Sequence, residues 1–171
     1  MATWNNDNVE IREVWKSNFA QEIENMRLII QTHRFMSLDT EFPENIHGDS
    51  STYQTMRANV SSLKIIQLGL AFSDYYGNLP LDGIFPHRGV VWQVNFSDFD
   101  PSTDPHNRDS IEVLRMSGIN FQKNREEGVS ISEFRAHFVP SGIIQNRSLC
   151  YIAFHGSSDY AYLVKMFSVG K

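Results

Sequence analysis

Two carboxylates, two residues apart on one short segment, are the first chemistry-bearing pattern in this sequence. In the run LDTEFP, Asp39 and Glu41 would share one face of a strand, their backbones about 6.5–7 Å apart. Met36, Leu38, Thr40 and Phe42 would point to the other face. Carboxylates held side by side repel unless they are solvated, one is protonated, or a cation lies between them. Hard divalent cations such as Mg²⁺ take oxygen ligands of this kind. The same spacing also suits an ordinary solvent-facing sheet surface.

Asp159 is the third candidate. It falls in the first turn of a predicted helix, where the dipole favours a carboxylate. Yet it shares a face with Tyr162, Leu163 and Met166, which puts it at the edge of the buried side. It can therefore be a first-turn acid with no further duty, or a group projecting toward the Asp39–Glu41 strand. His155 lies close to it in sequence. The other histidines (His33, His47, His87, His106, His137) are scattered without metal-ligand spacing, and no Cys/His zinc pattern, Walker loop or Gly-x-Ser-x-Gly elbow is present. Cys150 sits in an apolar run and reads as a small core residue rather than a nucleophile. A glycosidase-like acid/base pair is disfavoured, because Asp39 and Glu41 share one strand face instead of flanking a cleft.

The elements that must position these groups follow from periodicity. Ile11, Val14, Trp15, Phe19, Ile23, Met26 and Ile30 form a three-to-four stripe, so residues 9–32 are expected as one amphipathic helix capped by Asn8. Residues 35–42 read as a strand ended by Pro43, and 44–59 as a polar loop. The nearly continuous apolar run 63–72 reads as a central strand buried on both faces. Residues 75–89 are a long Gly- and Pro-containing connection leading to a strand at 90–96, antiparallel to the previous one. A helix beginning at Asp104-Pro105 and ending at Gly118 follows. Shorter helices are expected at 120–127 and 130–139, the latter with a Ser130/Glu133 capping box. A buried strand at 149–154 and a helix at 157–167 complete a mixed α/β order.

With 171 residues the chain has a one-domain length, and 41% apolar content supports a packed core. The net charge of -5 argues against a broad basic nucleic-acid face, though not against an end-binding cleft whose charge comes from metal ions. No apolar stretch approaches membrane-spanning length, and the polar N-terminus carries no signal pattern. One cysteine excludes an intramolecular disulfide framework, so a soluble intracellular protein is expected.

The segments IREVW, LDTEFP, NVSSLKIIQLGLAFSD, the strand ending at Phe96, DSIEVLRMSGINFQKNREEGV and FHGSSDYAYLVK together resemble the Caf/Pop-type poly(A) deadenylases, members of the DEDD nucleases. Plant members are especially similar, and the resemblance runs over residues 11–165. It implies a single ribonuclease H-like domain over residues 1–171, a mixed sheet flanked by helices. It also implies 3′-to-5′ exoribonuclease activity on poly(A), releasing AMP with two Mg²⁺ or Mn²⁺ ions. By motif match, Asp39, Glu41 and Asp159 would be its catalytic metal ligands, with Asp39 shared between the ions. The implied partners are poly(A) RNA, a large scaffold subunit of the Ccr–Not complex and its second deadenylase. Action in nucleus and cytoplasm, with no membrane or DNA partner, completes the expectation.

Three departures accompany the resemblance: Ser158 stands where a tyrosine is usual, Ser61 where an aspartate is usual, and the connection at residues 81–89 is extended. The family pattern also continues past residue 171 into a further strand, helices, a fourth acidic residue and a histidine base. That implies weakened activity and an exposed apolar sheet edge and helix underside unless a partner covers them. The alternative is an impaired paralogue that binds the complex or RNA without cleaving.

Overall fold

The computed structural model describes residues 8–48, 52–83 and 87–168. In chain order the elements are β1 (Val9–Val14), α1 (Phe19–Ile29), β2 (Phe35–Glu41), α2 (Tyr53–Ser62), β3 (Gln67–Ser73) and β4 (Gly89–Asn95). These are followed by α3 (Arg108–Met116), α4 (Phe121–Glu127), α5 (Ile131–Phe138), β5 (Cys150–Ile152) and α6 (Ser157–Phe167). Among the described residues the strands form one five-stranded sheet in the order β1-β4-β3-β2-β5. The β2–β3 and β3–β4 pairs are antiparallel, whereas β1 and β5 lie parallel to β4 and β2. The expected mixed α/β sheet is therefore present, with β2 between β3 and β5.

Cross-strand register sorts the sheet into two faces. Thr40, Leu68, Val94 and Val14 form one row, and Leu38, Leu70 and Trp92 form the next. These side chains are buried with Phe19, Ile23 and Met26 of α1, Phe134 and Phe138 of α5, and Tyr162 and Met166 of α6. Strand alternation sends the other residues to the opposite face. There Asp39 sits level with Gly69 and Gln93, and Glu41 level with Gln67 and Asn95. Among the described residues no helix blankets the middle of that face: Asp39 is exposed and Ile11 is 59% exposed. A second, smaller core (Ile66, Phe99, Ile111, Leu114 and Phe121) seats α3 and α4 against one end of the sheet.

Four sequence expectations are corrected. The helix expected over residues 9–32 is strand β1 followed by α1, so Asn8 caps nothing and precedes a strand. Asn18 divides the two: its Oδ1 accepts from the Trp15 N–H and its Nδ2 donates to the Glu13 carbonyl, turning the chain between strand and helix. The polar stretch expected as loop contains most of α2, opened by a capping box of Thr52 and Thr55. The helix expected from Asp104 starts four residues later, behind the Asn107 cap, which accepts from Asp109 and Ser110. Strand β5 has only three residues, and Cys150 on it is exposed, because β5 is an edge with one side unpaired. The antiparallel β3–β4 pair, the Ser130/Glu133 box and the bounds of α6 stand as expected.

Candidate active site

Asp39 and Glu41 project from the open face near the C-terminal end of β2. Asp39 is exposed and Glu41 half-buried. Burial is the main influence holding the Glu41 carboxyl above the ordinary glutamate range, followed by the charges of Asp39 and then Asp159. The Glu41 carboxyl thus feels the charges of both Asp39 and Asp159, a repulsion that a bound cation would relieve.

Asp159 reaches this neighbourhood by a tight turn. After β5, His155 adopts the left-handed region (φ 50°), uncommon for a side chain other than glycine, and Gly156 follows as the N-cap of α6. A Cβ on Gly156 would collide with the Cβ of Ala153, so the turn admits no side chain there. The first turn of α6 is thereby brought to the side of β2. Asp159 is only 7% exposed. Its Oδ1 accepts from the Thr40 backbone N–H (2.9 Å) and from the Thr40 hydroxyl (2.6 Å).

A cleft of about 480 Å³ opens beside Glu41. Its floor is amide-rich: Gln67 Nε2 donates to Asn95 Oδ1 (2.7 Å), with Gln93 alongside. Its far wall is the turn between α3 and α4, and the Asn124 Nδ2 on that wall is buried without a hydrogen-bond partner among the described residues. Lys123 lies 4.0 Å over the Trp15 ring at the rim. The sequence reading missed these amides, although Gln67 and Asn95 stood out as polar residues inside otherwise apolar strand runs.

Of the sequence-nominated residues, β2 brings Asp39 and Glu41 together, and Thr40 ties Asp159 to the same strand. The other histidines serve elsewhere: His47 with Ser62, His106 with the Asp104 carbonyl, His137 against Phe19. Among the described residues, no three His, Cys, Asp or Glu side chains gather closely enough to cage a metal ion. The donor chemistry nonetheless fits Mg²⁺ or Mn²⁺, because Mg²⁺ is commonly held by one or two carboxylates plus waters and substrate phosphates.

The chain is thus a mixed α/β domain with a carboxylate pair on β2, next to the middle strand of the sheet, and a further acid, Asp159, on α6. The pattern of the CAF1 family ribonucleases matches residues 14–135, more than half of the chain, and the chain belongs to that family. Asp39 and Glu41 fall inside the matched stretch and Asp159 beyond it.

The chain is 40% identical over 168 residues to "Probable CCR4-associated factor 1 homolog 7" of Arabidopsis thaliana, covering 94% of this chain and 61% of that protein. It is 39% identical to "Poly(A) ribonuclease pop2" of Schizosaccharomyces pombe, over 91% of this chain and 47% of that one. The chain thus spans about three-fifths or less of these relatives. The solved S. pombe Pop2p in its Mg²⁺- and Mn²⁺-bound form superposes with TM-score 0.82 at 39% identity, covering 92% of this chain and 63% of that one. CAF1 co-crystallised with the yeast NOT1 MIF4G domain superposes at 0.78 and 34% identity, covering 98% and 62%.

Proposed function

We propose that this chain is a 3′-to-5′ exoribonuclease acting on poly(A) and releasing AMP, with Asp39, Glu41 and Asp159 as its acidic residues. The observation that carries this reading is the electrostatic grouping of the three carboxylates on and beside one strand, next to an open cleft. Asp39 and Glu41 would hold divalent cations, with Asp159 acting from the flank. When bound, such ions supply Lewis-acid stabilisation of the phosphate and an activated water. The chain's own part is to hold negative charge on a rigid strand and to keep amide hydrogen-bonding groups along the cleft for a strand's end. Named relatives support the substrate class and a scaffold partner of the NOT1 type; a Ccr–Not assembly with its second deadenylase is part of the same proposal. Action in nucleus and cytoplasm belongs to the same proposal.

A second reading, binding the assembly or RNA without cleavage, is favoured by the absence of a three-ligand cage among the described residues. One assay separates the two. The purified chain is incubated with end-labelled oligoadenylate and Mg²⁺ or Mn²⁺, beside an Asp39→Ala variant. Metal-dependent shortening that disappears in the variant is expected. A folded sample that shortens nothing at any metal concentration would overturn the nuclease reading and favour the binding one.

A further inference from the structure

Thr40 lies between the two carboxylates of β2 but faces the opposite way. Its side chain is in the buried row with Leu68 and Val94, whereas Asp39 and Glu41 project from the open face. Strand β5 pairs with β2 only as far as Ser37, so the β2 edge at Thr40 has passed the end of that strand. A buried backbone N–H needs an acceptor, and a buried carboxylate needs donors. The two requirements meet here, with N–H and hydroxyl converging on one oxygen of Asp159 at 2.9 and 2.6 Å. The 2.6 Å contact has the length of a charge-assisted O–H···O⁻ bond, the stronger kind. The third carboxylate is therefore fastened to the very residue that separates the other two.

We propose that Thr40 is a positioning residue, which fixes the Asp159 carboxylate at the edge of β2 so that its charge acts from the flank on a divalent cation held by the Asp39–Glu41 pair. This rests on the reading of that pair as a metal site. Groups that orient metal-directed carboxylates without touching the metal commonly set its affinity, and losing one costs about 10–100-fold. The competing account is that Asp159 merely closes the β2 edge, in which case the same bonds govern folding alone.

The test measures Mn²⁺ affinity of the 171-residue chain by titration calorimetry and the melting temperature of each variant in chelator. Thr40→Val and Thr40→Ala lack the hydroxyl but keep the backbone N–H, and each is expected to bind Mn²⁺ about 10-fold more weakly. Thr40→Ser should return to within about two-fold of the unmodified chain. Asp159→Asn keeps an acceptor oxygen for both Thr40 donors, so it should melt close to the unmodified chain in chelator while losing Mn²⁺ affinity. A folded Val or Ala variant with unchanged affinity overturns the proposal, as does an Asp159→Asn variant with unchanged affinity. Failure of both hydroxyl-lacking variants to fold also overturns it, because the residue is then structural. Asp39→Ala separates the levels. If it retains full Mn²⁺ affinity, the metal-site reading itself falls. If it loses affinity while the Thr40 variants do not, only the assignment to Thr40 falls.

Discussion

At the scale of single residues, Glu41 carries the most informative environment. Its carboxyl is held above the ordinary glutamate range by burial first, then by Asp39 and Asp159. The native state therefore keeps a proton that the unfolded chain has released in the window from about pH 4 upward to the raised value. Metal-free stability should fall as pH rises through that window. Glu41→Gln should flatten this dependence and raise the metal-free melting temperature at neutral pH by about 1 °C or more. Melting curves in chelator across that pH range check it, and an unchanged slope would show that Glu41 is not under electrostatic pressure. Asp39 and Glu41 were legible from a two-residue spacing, which strand geometry converts directly into a shared face. The tie between Thr40 and Asp159 was not legible, because 119 residues separate its ends.

At the scale of elements, the position of α6 matters most, since it carries Asp159. Beyond its Asp159–Thr40 contact, α6 is latched by Lys165. The Lys165 ammonium donates to the carbonyls of Val60 (2.6 Å) and Leu63 (2.8 Å) at the end of α2. Carbonyls at a helix C-terminus lack intrahelical partners and favour a cation. Lys165→Met should cost about 1–3 kcal/mol, measured as a shift of the denaturant midpoint at constant slope. A change within error would mean that water satisfies these carbonyls equally well.

Periodicity located α6 and the Ser130/Glu133 box correctly, because both signals are local. It misread β1, where Val14 and Trp15 happen to continue the spacing of Phe19 and Ile23. A strand-like alternation of Val9 and Ile11 with Glu10 and Arg12 was also present, broken only at Glu13 and Val14. Only the neighbouring strand β4 decides between the two, by giving β1 a ladder to join. For α2 the signal was present but sparse: Tyr53, Met56 and Val60 keep helical spacing within a polar stretch, behind a threonine cap.

At the scale of the whole molecule, the sheet is packed on one face and open on the other. The packed face is held by an aromatic stack in which Phe134 meets Phe138 at 4.7 Å, Phe96 at 5.4 Å and Phe19 at 5.8 Å. Phe134 is fully buried, and Phe134→Ala should cost about 3–5 kcal/mol, read from denaturant unfolding. A cost under about 1 kcal/mol would mean that α5 is not part of the cooperative core. The open face presents Ile152, 45% exposed on β5, and Ile11, 59% exposed on the opposite edge strand β1. Which face the helices cover was not apparent from composition, because an apolar residue on a strand looks the same on either face.

By itself the sequence determined the elements whose signals are short-range: the carboxylate pair on one strand face, the helix behind the Ser130/Glu133 box, the bounds of α6 and the apolar central strands. It also determined the family, through segments whose residue types are spelled out in order. The tertiary structure alone decided that residues 9–14 are a strand and that Cys150 faces solvent. It alone placed Asp159 against Thr40 and laid amides from three elements along a cleft beside Glu41. The division has one physical cause. Backbone geometry maps local spacing onto faces without outside help, whereas burial and long-range hydrogen bonds exist only after distant segments have packed.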